Sequence, residues 1–211
     1  MTRRTIPILA ALFGLLATAL PAGAAGDTVA NARAATAVYA DPTAAVAGGY
    51  ELLTDAAGLA CIEQPGAGAM GVHFVKGALV QAGTIDPARP QALVYEPDQN
   101  GHLRLAALEY VVVQAGWDAG HTAPPTLFGQ PFMLTPDGNR YGLPAFYSLH
   151  AWVWKRNPAG TFAMWNPLVH CDANPTIQAA DERAAAPEDG AYALLRPVPA
   201  DGAAHEHHSA S

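Results

Sequence analysis

Ala92-Leu93-Val94-Tyr95-Glu96-Pro97-Asp98-Gln99-Asn100-Gly101-His102-Leu103-Arg104-Leu105-Ala106-Ala107-Leu108-Glu109-Tyr110-Val111-Val112-Val113 decides the fold. The flanking runs, Ala92 to Glu96 and His102 to Val113, hold the apolar and β-branched residues that suit a pleated surface. Between them Asp98-Gln99-Asn100-Gly101 supplies residues that accept positive φ, so the two runs are expected as antiparallel neighbours. Working outward, Val72 to Val75, Ala78 to Gln81, Phe132 to Leu134 and Phe146 to Trp154 show the same alternation or β-rich composition and are read as further strands. Upstream, the Ala-rich run Val29 to Tyr39 reads as a helix, and Asp41-Pro42 caps a second one ending near Gly48-Gly49. Alanine favours helix but offers little apolar bulk, so these helices are expected to cover one side of a sheet. The reading is an α+β fold: a mostly antiparallel sheet with the N-terminal helices packed on it, in one domain of about 145 residues spanning 25–172.

The chain ends differ in composition from this domain. Arg3 and Arg4, the apolar run Ile6 to Leu20 and the small residues Ala22-Gly23-Ala24 have the layout of a secretory signal, with cleavage expected after Ala24. The apolar run is about 15 residues, short of the roughly 20 that span a bilayer, so residues 1–24 read as a cleaved signal peptide rather than an anchor. Thr2-Arg3-Arg4-Thr5 lacks the hydrophobic residues that usually follow a twin-arginine pair, which favours ordinary secretion. The localisation expected is secreted or periplasmic, with no integral membrane segment after cleavage. Losing Arg3 and Arg4 would make the formal charge of −7 more negative by two, a balance that repels phosphate backbones and argues against nucleic acid as a partner. Residues 173–211 are dominated by Pro, Ala, Asp and Glu and read as a flexible tail, whose ending His205-Glu206-His207-His208 could capture metal weakly.

Cys61 and Cys171 are the only cysteines. An oxidising compartment favours a disulfide between them over a reactive or metal-binding thiol, and no CxxC is present. The loop Gln64-Pro65-Gly66-Ala67-Gly68-Ala69-Met70-Gly71 lacks the Gly-Lys-Ser/Thr ending of a phosphate loop and precedes a strand rather than a helix. It is read as closely packed backbone.

Phe146-Tyr147-Ser148-Leu149-His150-Ala151-Trp152-Val153-Trp154 is where chemistry is expected. A period of two puts Phe146, Ser148, His150, Trp152 and Trp154 on one face and Tyr147, Leu149, Ala151 and Val153 on the other, which is the core-like face. The strand 103–113 places Leu103, Leu105, Ala107, Glu109, Val111 and Val113 together, so a single carboxylate stands in an apolar face. A buried carboxylate needs a partner, a proton or a cavity. His73 opens the strand after the glycine-rich loop, opposite Val72 and Phe74. If the three strands face one cavity, His73, Glu109 and His150 form a two-histidine, one-carboxylate set suited to Zn, Cu, Mn or non-haem Fe. The alternative is a buried polar network that specifies packing.

Weaker candidates surround this set. Tyr141 and Arg140 lie in an ordered loop with aromatics between strands, as do residues 157–167. Trp117, Asp118 and His121 are close enough in sequence for a His–Asp contact, which would be worth little if exposed. Ser148 is about 7 Å from His150 along the strand, too far for a serine–histidine hydrogen bond, so a serine hydrolase is not expected.

The motifs Ala60-Cys61-Ile62, Gly68-Ala69-Met70-Gly71-Val72-His73, Pro90-Gln91-Ala92-Leu93-Val94-Tyr95-Glu96-Pro97, Leu108-Glu109-Tyr110, Tyr141-Gly142-Leu143-Pro144 and Trp165-Asn166-Pro167 resemble a group of secreted bacterial proteins described only as hypothetical. The resemblance spans about half of the chain. It implies an exported bacterial protein and carries no catalytic assignment. The function expected is extracytoplasmic binding of a small molecule or a metal through His73, Glu109, His150, Trp152, Trp154 and Tyr141, the cofactor being unassigned with a divalent metal on His73, Glu109 and His150 as the candidate. Two rival readings use the same features: a metal-dependent or acid–base enzyme, and an interaction protein or oligomer whose aromatics meet a partner subunit.

Overall fold

The computed structural model describes residues 28–171; the expected signal peptide, the expected tail and its histidines lie outside the described residues. The chain begins with α1 (Val29–Thr36), a 3-10 turn (Ala37–Ala40) and α2 (Pro42–Ala47). Thr28 caps α1 by accepting from Asn31 N–H, and Asp41 caps α2 by accepting from Thr43 N–H with Pro42 in the first turn. Then follow β1 (Glu51–Leu53), β2 (Cys61–Gln64), β3 (Gly68–Val75), α3 (Gly77–Ala82), β4 (Ala92–Pro97), β5 (Leu103–Val113) and α4 (Gln114–Asp118). The last elements are β6 (Thr126–Leu127), β7 (Gln130–Pro131), β8 (Met133–Thr135) and β9 (Phe146–Ala151).

Every strand pairing is antiparallel. The main sheet runs β1-β3-β4-β5-β9-β8, with β2 also paired to β3, and β6-β7 form a separate small ribbon. The β4–β5 hairpin closes on Asp98, whose backbone pairs with His102 and Gly101 and whose carboxylate accepts from Asn100 and His102 N–H. Of the Asn100-Gly101 pair the turn uses positive φ at Gly101, at 85°. The α+β sheet expected from sequence is the fold.

One face of the sheet carries a continuous apolar cluster of Leu52, Val72, Phe74, Leu93, Tyr95, Leu108, Tyr110, Val112, Tyr147, Leu149 and Ala151. Ala32 of α1 and Ala45 of α2 pack into the same cluster, so the N-terminal helices do cover the sheet. The second face carries two small clusters. Val75, Val80 and Ala92 form one; Ala69, Val94, Ala106, Ala107, Trp152 and Val169 form the other.

Three sequence expectations are corrected. Ala78 to Gln81 is not a strand; it lies in α3, which buries Gly77 and Val80 at helical spacing and stops at Gly83 in the left-handed region. A short apolar run fits either period, and the left-handed glycine ends it as a helix. Val80 packs with Val75 and Ala92, which puts α3 on the second face, so the helices are not confined to one side.

The alternation of β5 is broken by a bulge. Val94 pairs with Ala107 and Tyr95 with Leu105, leaving Ala106 as the extra residue. Leu103 and Leu105 therefore join the helix-covered cluster, while Ala107, Glu109, Val111 and Val113 keep the second face. The backbone carbonyl of Ala106 instead accepts from Trp154 and Lys155 N–H.

The strand at 146–154 ends at Ala151, where Val153 N–H turns back to the Ala151 carbonyl. Trp154 thus leaves the His150 face. Its indole N–H donates to Thr36 Oγ1 at 3.3 Å and Arg33 stacks on its ring.

Two glycines of the 64–71 segment have steric roles. A side chain on Gly68 would collide with the backbone of Asn166, and one on Gly71 with the Tyr95 carbonyl. Close backbone packing was the expectation there, but the irregular part is short: β3 already begins at Gly68, where Ala69 and Asn166 exchange backbone hydrogen bonds. Cys61 and Cys171 form a disulfide. It ties the end of the described chain, beside Val169, to the β2 edge. Such a bond is typical of extracytoplasmic proteins. Among the described residues no helix is long and apolar enough to cross a membrane.

Candidate metal centre

Glu109 and His150 are direct cross-strand partners on β5 and β9. His73 comes from β3, two strands away from β5, and reaches across β4 above Val94 and Ala107, its lateral neighbours in register. Small side chains in that row leave room for the imidazole. All three groups are buried, with 2% of His73, 8% of Glu109 and 3% of His150 exposed. One ligand atom from each lies within 4.8 Å of the other two. His73 Nε2 is 3.5 Å from Glu109 Oε2 and 3.4 Å from His150 Nε2, and His150 Nδ1 is 3.6 Å from Glu109 Oε1.

These separations have a chemical meaning. They use both nitrogens of His150 and both oxygens of Glu109; for one atom from each residue the separations are within 4.8 Å, against roughly 3.3–3.4 Å in a four-coordinate cation with bonds of about 2.0–2.1 Å. They are long for direct hydrogen bonds. The group can hold a metal ion.

Burial sets the charge states. Desolvation pushes both imidazoles down to about 4; for His73 the Glu109 carboxylate pulls the other way and His150 adds to the fall. Both rings are therefore neutral near pH 7, the form that binds metal. Burial raises Glu109, against the opposing pull of His73 and of the Ser148 hydroxyl placed to donate to it. His73 Nδ1 has no hydrogen-bond partner although it is buried. The Gly71 carbonyl is near enough to favour a proton on this ring without completing a well-formed hydrogen bond.

Trp152 backs His150, the two rings stacking at 6.3 Å, and its indole N–H donates to the Ala163 carbonyl at 2.6 Å. It supports the histidine from the apolar cluster. Trp154 lies on the other face, as described above. Tyr141, with Glu109, Ser148 and His150, lines a cavity of about 380 Å³ that also meets Arg140 and Trp165. A smaller apolar cavity of about 50 Å³ lies on the other side of Glu109 and Tyr141, against Val75 and Val80.

Asp118 and His121 do not pair as a His–Asp unit. Tyr147 donates to Asp118 at 3.2 Å, while His121 stacks on Trp117 at 3.7 Å with Nδ1 2.9 Å from the Trp117 carbonyl oxygen. Sequence reading passed over Asp55 and Met70. Asp55 is buried and accepts from Arg140 Nη2 at 2.8 Å and Nε at 3.3 Å, and from Ala57 and Leu59 N–H. Met70 is the extra residue of a bulge opposite Ile62 and Glu63, and both it and Met164 line the cavity. Nothing in local sequence marks Asp55, since its partner is 85 positions away.

The fold and this group define a class, an antiparallel α+β protein with a buried His–Glu–His cluster. No family model, no curated protein and no solved structure matches the chain.

Proposed function

We propose that this is an exported metal-binding protein that holds one divalent cation on His73, Glu109 and His150 and keeps at least one coordination position open towards the cavity. The observation that carries the reading is the convergence of three buried ligand groups, one atom of each lying within 4.8 Å of the other two. The three groups face one another at separations long for direct hydrogen bonds, which leaves room for a cation among them. Imidazole and carboxylate donors suit Zn, Mn, Cu or non-haem Fe. Export is supported by the N-terminal sequence pattern and by the disulfide.

The test is metal analysis of the purified chain carrying His205→Ala, His207→Ala and His208→Ala, which silences the histidines at the C-terminus. One equivalent of metal, lost in His150→Ala, is the expected result. A chain that holds no stoichiometric metal after incubation with zinc, manganese and copper salts in turn ends the proposal.

A second reading, metal-assisted catalysis at the same centre, is favoured by one observation: the cavity opens onto Glu109 and His150 rather than away from them. A ligand there would reach the metal and a carboxylate together.

A further inference from the structure

We infer that the cavity beside the centre receives a small molecule bearing one carboxylate, gripped by Arg140 at one end of that group and by the open metal position at the other. The inference rests on the metal reading above and names the ligand class of the same site.

Arg140 is held as a fixed donor. Asp55 takes its Nε–H and an Nη2–H on one oxygen, while the other oxygen is occupied by Ala57 and Leu59 N–H. Nη1 makes no hydrogen bond among the described residues, and Arg140 lines the cavity. A guanidinium fixed on one edge presents its remaining N–H groups without further ordering cost, and these suit a carboxylate oxygen. The Tyr141 hydroxyl, in the same wall, also makes no hydrogen bond among the described residues. A phenol keeps its proton at neutral pH and so remains a donor.

Charge points to a single negative group. With neutral imidazoles, a divalent cation and Glu109 leave one positive charge, while Arg140 and Asp55 cancel each other. One anion brings the site to neutrality. Size limits the rest of the molecule. A water molecule occupies about 30 Å³ of liquid, so about 380 Å³ admits about a dozen non-hydrogen atoms. Phe146, Met164 and Trp165 provide apolar wall for a flat or aliphatic body.

The test uses the full chain with the three C-terminal histidines replaced by alanine and loaded with cobalt(II), its cobalt content measured first. Sodium benzoate is the probe and benzyl alcohol its neutral counterpart. Benzoate is expected to shift the visible cobalt bands saturably, and benzyl alcohol to leave them unchanged. The double variant Arg140→Gln/Asp55→Asn removes the guanidinium without stranding a buried carboxylate. It is expected to retain cobalt and bind benzoate at least tenfold more weakly. Arg140→Lys, which keeps the ion pair but not the fork, is expected to fall between. Cobalt bands indifferent to benzoate, equal response to benzyl alcohol, or unchanged benzoate affinity in the double variant would overturn the inference while the metal reading stands. A chain that takes up no cobalt removes this inference, and stoichiometric zinc, manganese or copper in that chain would show that the metal reading survives it.

Discussion

The two faces of the sheet are made from alternating residues of the same strands, yet they are built to different ends. On the helix-covered face each polar atom carried inward finds a partner. Tyr50, Tyr95 and Tyr110 donate to the carbonyls of Pro90, Tyr39 and Pro87 at 2.9, 2.7 and 2.8 Å. On the second face three ionisable groups are buried, one ring nitrogen is unpaired and a cavity opens beside them. A face built for stability satisfies its polar groups with short hydrogen bonds; a face that gathers ionisable groups at longer separations beside a cavity is suited to a ligand.

The comparison is broken or sharpened by four measurements. The largest effect is that of acid on the metal-free protein. His73 and His150 have folded values near 4 against 6.5 unperturbed, so between pH 6.5 and 4 the unfolded chain binds protons that the native state refuses. Stability is then lost as pH falls through that window, on the order of 3 kcal/mol for each ring at full shift. Glu109 acts oppositely: its raised value makes its ionised form costly in the fold, and protonation returns part of that as pH drops towards 4.5. With two rings against one carboxylate, the urea midpoint is expected to fall between pH 6.5 and 4, and less steeply in His150→Gln. A midpoint flat across that range would mean that the rings are already charged in the native state.

Next in size is the disulfide, which closes a loop with a sequence separation of 110. Cys61→Ser with Cys171→Ser is expected to cost on the order of 4–5 kcal/mol in the loop-entropy account. Urea unfolding of this double variant measures it, and a loss below 1 kcal/mol would show that the second face does not depend on the covalent tie.

The third and fourth measurements use adjacent residues on opposite faces. Leu108 is fully buried in the helix-covered cluster, and Leu108→Ala should cost about 3 kcal/mol whether or not metal is present. Glu109→Gln, one residue on, should change stability by less than about 1 kcal/mol, because it removes a carboxylate whose burial is itself unfavourable. It should nevertheless abolish metal binding. Denaturation with and without added zinc reads both variants, and a Glu109→Gln chain that unfolds as readily as Leu108→Ala would make Glu109 a structural residue.

How far these features were legible in the sequence differs from residue to residue. The β4–β5 hairpin was readable because Asn100-Gly101 acts through its own backbone. The face carrying Ser148 and His150 was readable because period two holds as long as the strand does. Trp154 was misplaced because β9 ends three residues earlier, at a turn stabilised by the distant Ala106 carbonyl. Leu103 and Leu105 were put on the Glu109 face because the bulge at Ala106 is a property of the pairing with β4, not of β5 alone. Of the site, His73, Glu109, His150 and Tyr141 were nameable as candidates. Asp55 behind Arg140 and the part of Met70 in the cavity wall were not.

By itself the sequence determined the class of the fold, the presence of two N-terminal helices and the cap of the second, the strands on either side of the hairpin and which residue types could bind metal. These depend on propensity, caps, turns and alternation, all of which act over a few residues. Only the tertiary structure decided that His73 reaches across β4 to Glu109 and His150, that Cys61 meets Cys171, and that Asp55 fixes Arg140 at a cavity. Those contacts join residues tens of positions apart, and their geometry depends on strand order, register and a bulge, which a local pattern does not specify.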